Sequence, residues 1–147
     1  MSTPAFRYVH LTSDFYQDFN WYVEIMKDPD RQYLHLVTQY KGHTFVIPFR
    51  SGINHPYSFR FSKEDNKGLD YSKAIIIHDM QKYVVPSAKP IPQKQHDLIV
   101  RKEQLILRHF YKYVDDYCKA VQNNDTNMLN RLGKYSSLKN FHQELGI

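Results

Sequence analysis

The feature that most limits what this chain can fold into lies between His96 and Val121, where Leu98, Ile99, Leu105, Ile106, Phe110, Tyr113, Val114, Tyr117 and Val121 recur at a 3.6-residue period. The spacing predicts one long amphipathic helix, ended by Asn123-Asn124-Asp125. A helix with a continuous apolar stripe must lay that stripe on another layer, and the segments ahead of it read as a sheet. Tyr33 to Tyr40 and Thr44 to Phe49 are rich in β-branched and aromatic residues, and Lys41-Gly42-His43 between them predicts a hairpin turn.

The remaining elements follow from local signals. Phe6 to Leu11 reads as a strand, and Thr12-Ser13-Asp14 offers a hydroxyl and a carboxylate to the free amides of a new helix. Phe15, Phe19, Tyr22, Val23 and Met26 carry that helix to about Met26, before Asp28-Pro29-Asp30 breaks it. Pro48 cannot donate to a ladder and is expected at a strand edge or a bulge. Ser58 to Phe61 reads as a strand, Ser62 to Gly68 as a charged loop, and Lys73 to His78 as a central strand by its Ile75-Ile76-Ile77 run. Pro86 to Pro92 reads as an extended linker, and two short helices are expected at Thr126 to Leu132 and Ser136 to Leu145. The sum is one α+β domain over residues 1–147, a mostly antiparallel sheet packed by helices.

Chemistry is bounded first by what the residues exclude. A single cysteine, Cys118, leaves no internal disulfide framework and no multi-cysteine zinc module, and it makes a reducing, cytoplasmic setting the default expectation. The apolar runs are too short to span a bilayer, so no membrane partner is expected. There is no Gly-rich phosphate loop, no His-Glu-x-x-His and no calcium-loop spacing, so no cofactor and no metal is expected. Twenty Lys plus Arg against fifteen Asp plus Glu favour polyanionic partners. The excess is concentrated between residues 41 and 73, where Lys41, Arg50, Arg60, Lys63, Lys67 and Lys73 face Glu64, Asp65 and Asp70.

The stretch Arg50-Ser51-Gly52-Ile53-Asn54-His55-Pro56-Tyr57 places a cation, a hydroxyl, a flexible glycine, an imidazole and a phenol within eight residues. RNA carries its own nucleophile in the 2′-hydroxyl. A protein that cuts it must accept that proton, hold the charge growing on the phosphate and let the 5′ oxygen leave. Arg50 suits the phosphate, Ser51 can hydrogen-bond it and His55 titrates in the range for proton transfer. A polar turn with Ser51 capping backbone groups is the competing reading. Tyr57, Phe59 and Phe61 alternate as a base-stacking stripe would, with Arg60 between them, but such a stripe is more often core, and Phe59 and Phe61 are expected there. Lys73 stands at the entrance of the Ile strand, where it either reaches an active-site anion or caps a sheet edge. His35 and His109 read as structural or solvated.

Two blocks carry a resemblance. Arg31 to Ser51, with its Gly42-His43 turn and Phe45-Val46-Ile47-Pro48, together with Gly68-Leu69-Asp70-Tyr71-Ser72-Lys73-Ala74-Ile75-Ile76-Ile77 and the helix from His96, resembles the ToxN/AbiQ endoribonuclease toxins of type III toxin-antitoxin systems, including the TenpN branch. The resemblance implies a compact, β-barrel-like core of the PemK/Kid/MazF kind with added helices. It also implies metal-independent cleavage of cellular or phage RNA to 2′,3′-cyclic phosphate ends, in the service of phage defence. The family's antitoxin is a folded RNA pseudoknot repeat that fills the toxin's basic groove, so a higher-order protein–RNA assembly is expected. Carried over by position, the hydroxyl pair that closes the strand in some members falls on Arg50 and Ser51, so only Ser51 keeps its hydroxyl. A family lysine falls on Arg31, and the downstream histidine falls near His55 with one residue gapped.

The expected catalytic set is therefore Ser51, Arg50, Arg31, His55 and Lys73, with Lys41, Tyr57, Arg60, Lys63 and Lys67 binding RNA. Two other function classes stay open on the residues alone, a non-catalytic RNA-binding module and a protein-interaction domain whose basic charge is incidental.

Overall fold

The computed structural model describes residues 7–22, 24, 33–64, 66–87, 91–132 and 134–147. Seven strands form a mostly antiparallel sheet: β1 (Tyr8–Leu11), β2 (His35–Tyr40), β3 (His43–Arg50), β4 (Ser58–Arg60), β5 (Gly68–Asp70), β6 (Ile75–Ile77) and β7 (Val84–Pro86). Their order is β4-β5-β3-β2-β1-β7, with β6 paired to β3 beside β5. Among the described residues the ladder has two ends, β4 and β7, and does not close on itself.

The hairpin forms where its sequence predicts it. Lys41 and Gly42 both take positive φ, 54° and 78°, the backbone of a two-residue turn whose twist suits flanking strands. Tyr40 already pairs with His43, so the turn is one residue shorter than expected. Along β3 the residues from Phe45 to Pro48 are all buried, and Phe45 meets Phe110 edge to face at 5.3 Å.

Pro48 sits inside this central strand, opposite His35, and at no sheet edge. The reason it is tolerated there lies in the strand's alternation. Phe49 donates its N–H toward β2, to the Leu34 carbonyl, so the position before it faces the other neighbour. On that side β6 pairs with Thr44 to Val46 and β5 with Phe49 and Arg50, which leaves Pro48 unpaired in the gap between them. Opposite the gap the returning chain leaves the ladder for a 3-10 turn, Tyr71–Lys73. Val46 pairs with Ile75 and Arg50 with Gly68, so the returning segment carries three more residues than β3 over that interval. The bulge expected of Pro48 is therefore in its partner.

Several expectations are corrected. The first helix, α1 (Ser13–Asp18), is capped by Thr12 as expected, but it ends at Asp18 because Phe19 turns out of the helix and stacks on Tyr22 at 4.9 Å. Val23 and Met26, and also Phe6, lie outside the described residues. The Ile75-Ile76-Ile77 strand is buried on both faces, yet among the described strands it pairs only with β3, so burial there does not mean centrality. Pro86, read as the start of the linker to Pro92, instead ends β7, which pairs with β1 after a short helix α2 (Met80–Tyr83).

The long C-terminal-half helix is two helices, α3 (Gln93–Arg101) and α4 (Glu103–Gln122), broken at Lys102 although no Pro or Gly lies between Gln93 and Gln122. The apolar stripe of α4 buries Ile106, Phe110, Tyr113, Val114 and Tyr117. Behind it α5 (Thr126–Leu132), a 3-10 turn Ser137–Asn140 and α6 (His142–Leu145) close the chain. Ser137 ties this segment to the sheet, its buried hydroxyl donating to the carbonyls of Ser72 and Ala74 on either side of Lys73. One contiguous apolar core draws residues from β1 through to Phe141. No helix of the described residues is long and apolar enough to cross a membrane.

The β4–β5 pairing depends on Gly68. A Cβ built at this position would lie 2.1 Å from the Phe59 carbonyl oxygen and 2.9 Å from the Arg60 Cα, both backbone atoms that cannot step aside. Gly68→Ala is expected to destabilise the protein by about 1–3 kcal/mol, read by urea denaturation, and to raise amide exchange in Ser58–Arg60. Unchanged exchange in that strand would contradict the register.

Candidate functional site

The gap beside Pro48 places Asp70 at the start of the 3-10 turn, where its side chain caps the Ser72 N–H at 3.0 Å. Asp70 is wholly buried, and three further donors converge on its carboxylate. Arg50 Nη1 reaches Oδ2 at 2.9 Å, His55 Nε2 reaches Oδ1 at 3.1 Å and the Ser72 hydroxyl reaches Oδ1 at 2.6 Å. Burial pushes this carboxyl up. The hydrogen bonds from His55 and Ser72, the charge of His55 and the bond from Arg50 together outweigh it and hold the group below the usual carboxylate range.

His55 is fixed from both sides. Its Nδ1 accepts the Tyr57 backbone N–H at 3.1 Å, so in the neutral ring the proton sits on Nε2 and is donated toward Asp70. The loop that carries it is anchored by Ile53, which is buried and donates its N–H to the Asn66 carbonyl at 3.0 Å. Gly52 takes φ 69°, a conformation open to glycine, and leaves Ser51 and itself exposed beside Arg50. The Arg50 guanidinium rests on Asp70 through Nη1, and its side chain is about a third exposed (36%).

Arg50 and His55 thus meet on Asp70, while Ser51 is exposed on the loop next to Arg50. Lys73 does not join them. In a 3-10 turn successive side chains are a third of a turn apart, so with Ser72 on Asp70, Lys73 points elsewhere. Its Nζ bonds the Tyr135 carbonyl at 2.7 Å and Glu24 at 3.1 Å. Arg31 lies outside the described residues. Asp70 and Ser72 escaped the sequence reading, in which Asp70 counted only as a charge opposing the basic cluster. The available signal was Asp70-Tyr71-Ser72 itself, an Asp placed two residues before a Ser as in a side-chain-capped turn.

The expected RNA-binding residues do not share one place. Arg60 and Lys63 line an open groove of about 550 Å³ together with Lys102, Phe59 and Phe61, and no carboxylate is among its described walls. Lys102 enters through the break between α3 and α4, which periodicity alone does not reveal. Arg60 also donates to the His55 carbonyl at 3.3 Å, linking groove to cluster. Lys67 is exposed on the loop before β5, its carbonyl accepting the Phe61 N–H. Lys41 stands apart at the hairpin turn, paired with Asp115 at 3.2 Å. It is separated from Arg50 by the length of β3, roughly 25 Å at the usual strand rise. Tyr57 stacks toward His55, with ring centres 6.0 Å apart, and borders a second, smaller cavity. Phe59 and Phe61, expected in the core, are only partly buried and pack against its edge. His35 is structural, buried with Nδ1 on the Tyr33 carbonyl and driven down to about 4 by burial.

In comparisons with protein-family models, curated proteins and solved structures, the chain has no significant match in any of the three.

Two groups set the acid behaviour in different windows. His35 resists the proton that the unfolded chain accepts near pH 6.5, so it removes roughly 3 kcal/mol of stability as pH falls from there to about 4. Asp70, held below the unfolded carboxyl, contributes stability that is full above about pH 4 and is lost as pH drops through its folded value. Asp70→Asn is expected to cost about 3 kcal/mol at pH 7 and to flatten the loss below pH 4, while the loss between pH 6.5 and 4 persists. Denaturant melts across pH measure both. An Asp70→Asn protein as stable as wild type at pH 7 would contradict the cluster.

Proposed function

We propose that this protein binds single-stranded RNA in the groove along β4 and cleaves it beside Arg50 and Ser51. The observation that carries the reading is the groove itself, where Arg60, Lys63 and Lys102 stand with two phenylalanines and no described carboxylate, one hydrogen bond away from the Asp70 cluster. Cations that track a backbone and aromatic faces that receive bases are what unpaired RNA requires.

In the proposed reaction the 2′-hydroxyl attacks its own phosphate. The P–O2′ bond forms, the P–O5′ bond breaks, the 2′ proton passes to a base and the 5′ oxygen takes up a proton, leaving a 2′,3′-cyclic phosphate. Arg50, already oriented by Asp70, offers its remaining N–H groups to the phosphate oxygens as their charge grows. Ser51 supplies a second donor. His55 has its Nε2–H held by a buried carboxylate, which leaves Nδ1 as the proton acceptor once the Tyr57 N–H lets go.

On the resemblance drawn from the sequence, the protein is a ToxN-like toxin, held in check in the cytoplasm by a small folded RNA that occupies the same groove in a protein–RNA assembly. The antiparallel order around β3 and the long helix support a PemK/Kid/MazF-like core, although the ladder lacks a pairing between β4 and β7. One observation favours a second reading. Both ring nitrogens of His55 are already engaged, as they would be in a non-catalytic RNA-binding module on the same fold.

Cleavage of single-stranded RNA is expected to proceed in excess chelator and to leave cyclic phosphate ends. Ser51→Ala should slow it by about 100-fold or more, with RNA affinity falling far less. RNA affinity should drop steeply with salt. Plain 5′-phosphate ends, or an unchanged rate for folded Ser51→Ala, would overturn the mechanism. Salt-dependent binding without cleavage would support the second reading, and a flat salt dependence would remove both in favour of a protein-interaction domain.

A further inference from the structure

The second cavity lies next to the cationic groove, and the two share Pro56 and Ser58 as walls. Its volume is about 210 Å³, below the roughly 300–1,000 Å³ typical of sites for drug-sized molecules. It therefore suits a single flat ring system. Tyr57, half-buried, forms one wall, and Tyr71 and Tyr113 are buried beneath it. The Tyr57 and Tyr113 rings stand 5.6 Å apart at 46°, so they do not stack on one another and fill the space between.

Polar groups are placed around these rings. Lys112 and Asp116, paired at 2.6 Å on the exposed side of α4, line the cavity with a donor beside an acceptor. The Tyr113 hydroxyl is satisfied within the protein, on the Leu132 carbonyl and the Ser136 hydroxyl, both at 2.8 Å, whereas Lys112 and Asp116 stay accessible to a ligand.

We propose that this cavity receives one unpaired nucleobase of the RNA strand whose phosphates lie in the adjoining groove. The proposal rests on the RNA-binding reading and adds to it the place where base identity is read. The base lies against Tyr57 and hydrogen-bonds to Lys112 and Asp116 at the mouth. Its neighbour along the strand then passes Pro56 and Ser58 toward Arg60 and Lys63, which brings the phosphate between them close to the His55 loop.

The test uses the full chain, the four ribonucleoside 5′-monophosphates, and ribose 5-phosphate as the control without a base. Nuclear magnetic resonance titration should show the tyrosine ring signals of 57, 71 and 113 moving with at least one nucleotide and staying still with ribose 5-phosphate. Tyr57→Ala should weaken that binding by about fivefold or more, the usual effect of losing one stacked base. Lys112→Met keeps the fold testable, because it changes an exposed helix position outside the core. It should still weaken nucleotide binding by about two- to tenfold. Salt-dependent RNA binding with no nucleotide effect on these rings would overturn the pocket and leave the RNA reading intact. Nucleotide binding unaffected by both Tyr57→Ala and Lys112→Met would also overturn it. Nucleotide binding at these rings without any RNA binding in the groove would uphold the pocket and overturn the reading on which the strand's path depends.

Discussion

A proline in the middle of the central strand shapes everything that surrounds the candidate site. Pro48 has no N–H to give toward β5 and β6, so a continuous ladder on that side of β3 is impossible at its position. The returning chain responds by leaving the sheet for four residues, Tyr71 to Ala74, and rejoining it at Ile75. The start of that excursion, from Asp70 to Ser72, is where the polar contacts collect. A regular strand would have sent Asp70 and Ser72 to one face as separate side chains. The 3-10 turn instead folds the Asp70 carboxylate back over the Ser72 amide and presents its other oxygen to Arg50.

Burying a carboxylate is expensive unless its lone pairs are filled. At Asp70 they are filled by the Ser72 amide and hydroxyl, the His55 ring and the Arg50 guanidinium. The arrangement does more than repair the desolvation. It selects the tautomer of His55, and it holds Arg50 through one nitrogen while the side chain stays partly exposed. Ser137 locks the far side of the turn by donating to the carbonyls of Ser72 and Ala74, so the C-terminal segment holds the cluster through its backbone. The groove and the tyrosine-lined cavity share Pro56 and Ser58 as walls, and the Arg60 bond to the His55 carbonyl ties the groove to the cluster.

How much of this could be read beforehand depended on whether the signal was local. The Lys41-Gly42 turn, the Thr12 cap and the apolar stripe from Ile106 to Tyr117 are properties of short segments, and they came out as read. The end of α1 was misplaced because Phe19 keeps the helical spacing in sequence while its ring prefers Tyr22 and Tyr83 in space. Pro48 was read by the common rule for edge strands, and the exception arises from a pairing partner twenty-odd residues away that no local window contains. The same holds for the loop residues. Arg50 and His55 are near in sequence and meet in space on Asp70, whereas Lys73 is directed to Glu24 by the phase of a turn that only the ladder gap explains. Asp70 and Lys102 went unnoticed because each acquires its role from a tertiary contact, one by burial under Arg50 and His55 and the other by a helix break with no Pro or Gly to mark it.

The account stands or falls on the orientation that Asp70 imposes on His55. Long-range ¹H–¹⁵N correlation on histidine-labelled protein reports directly which ring nitrogen carries the proton. In the neutral ring of the wild type the account predicts a protonated Nε2 and a bare Nδ1, with that preference lost in Asp70→Asn. A neutral His55 protonated on Nδ1 would contradict it, because the imidazole would then be held by something other than the buried carboxylate and the cluster would lose its proton acceptor.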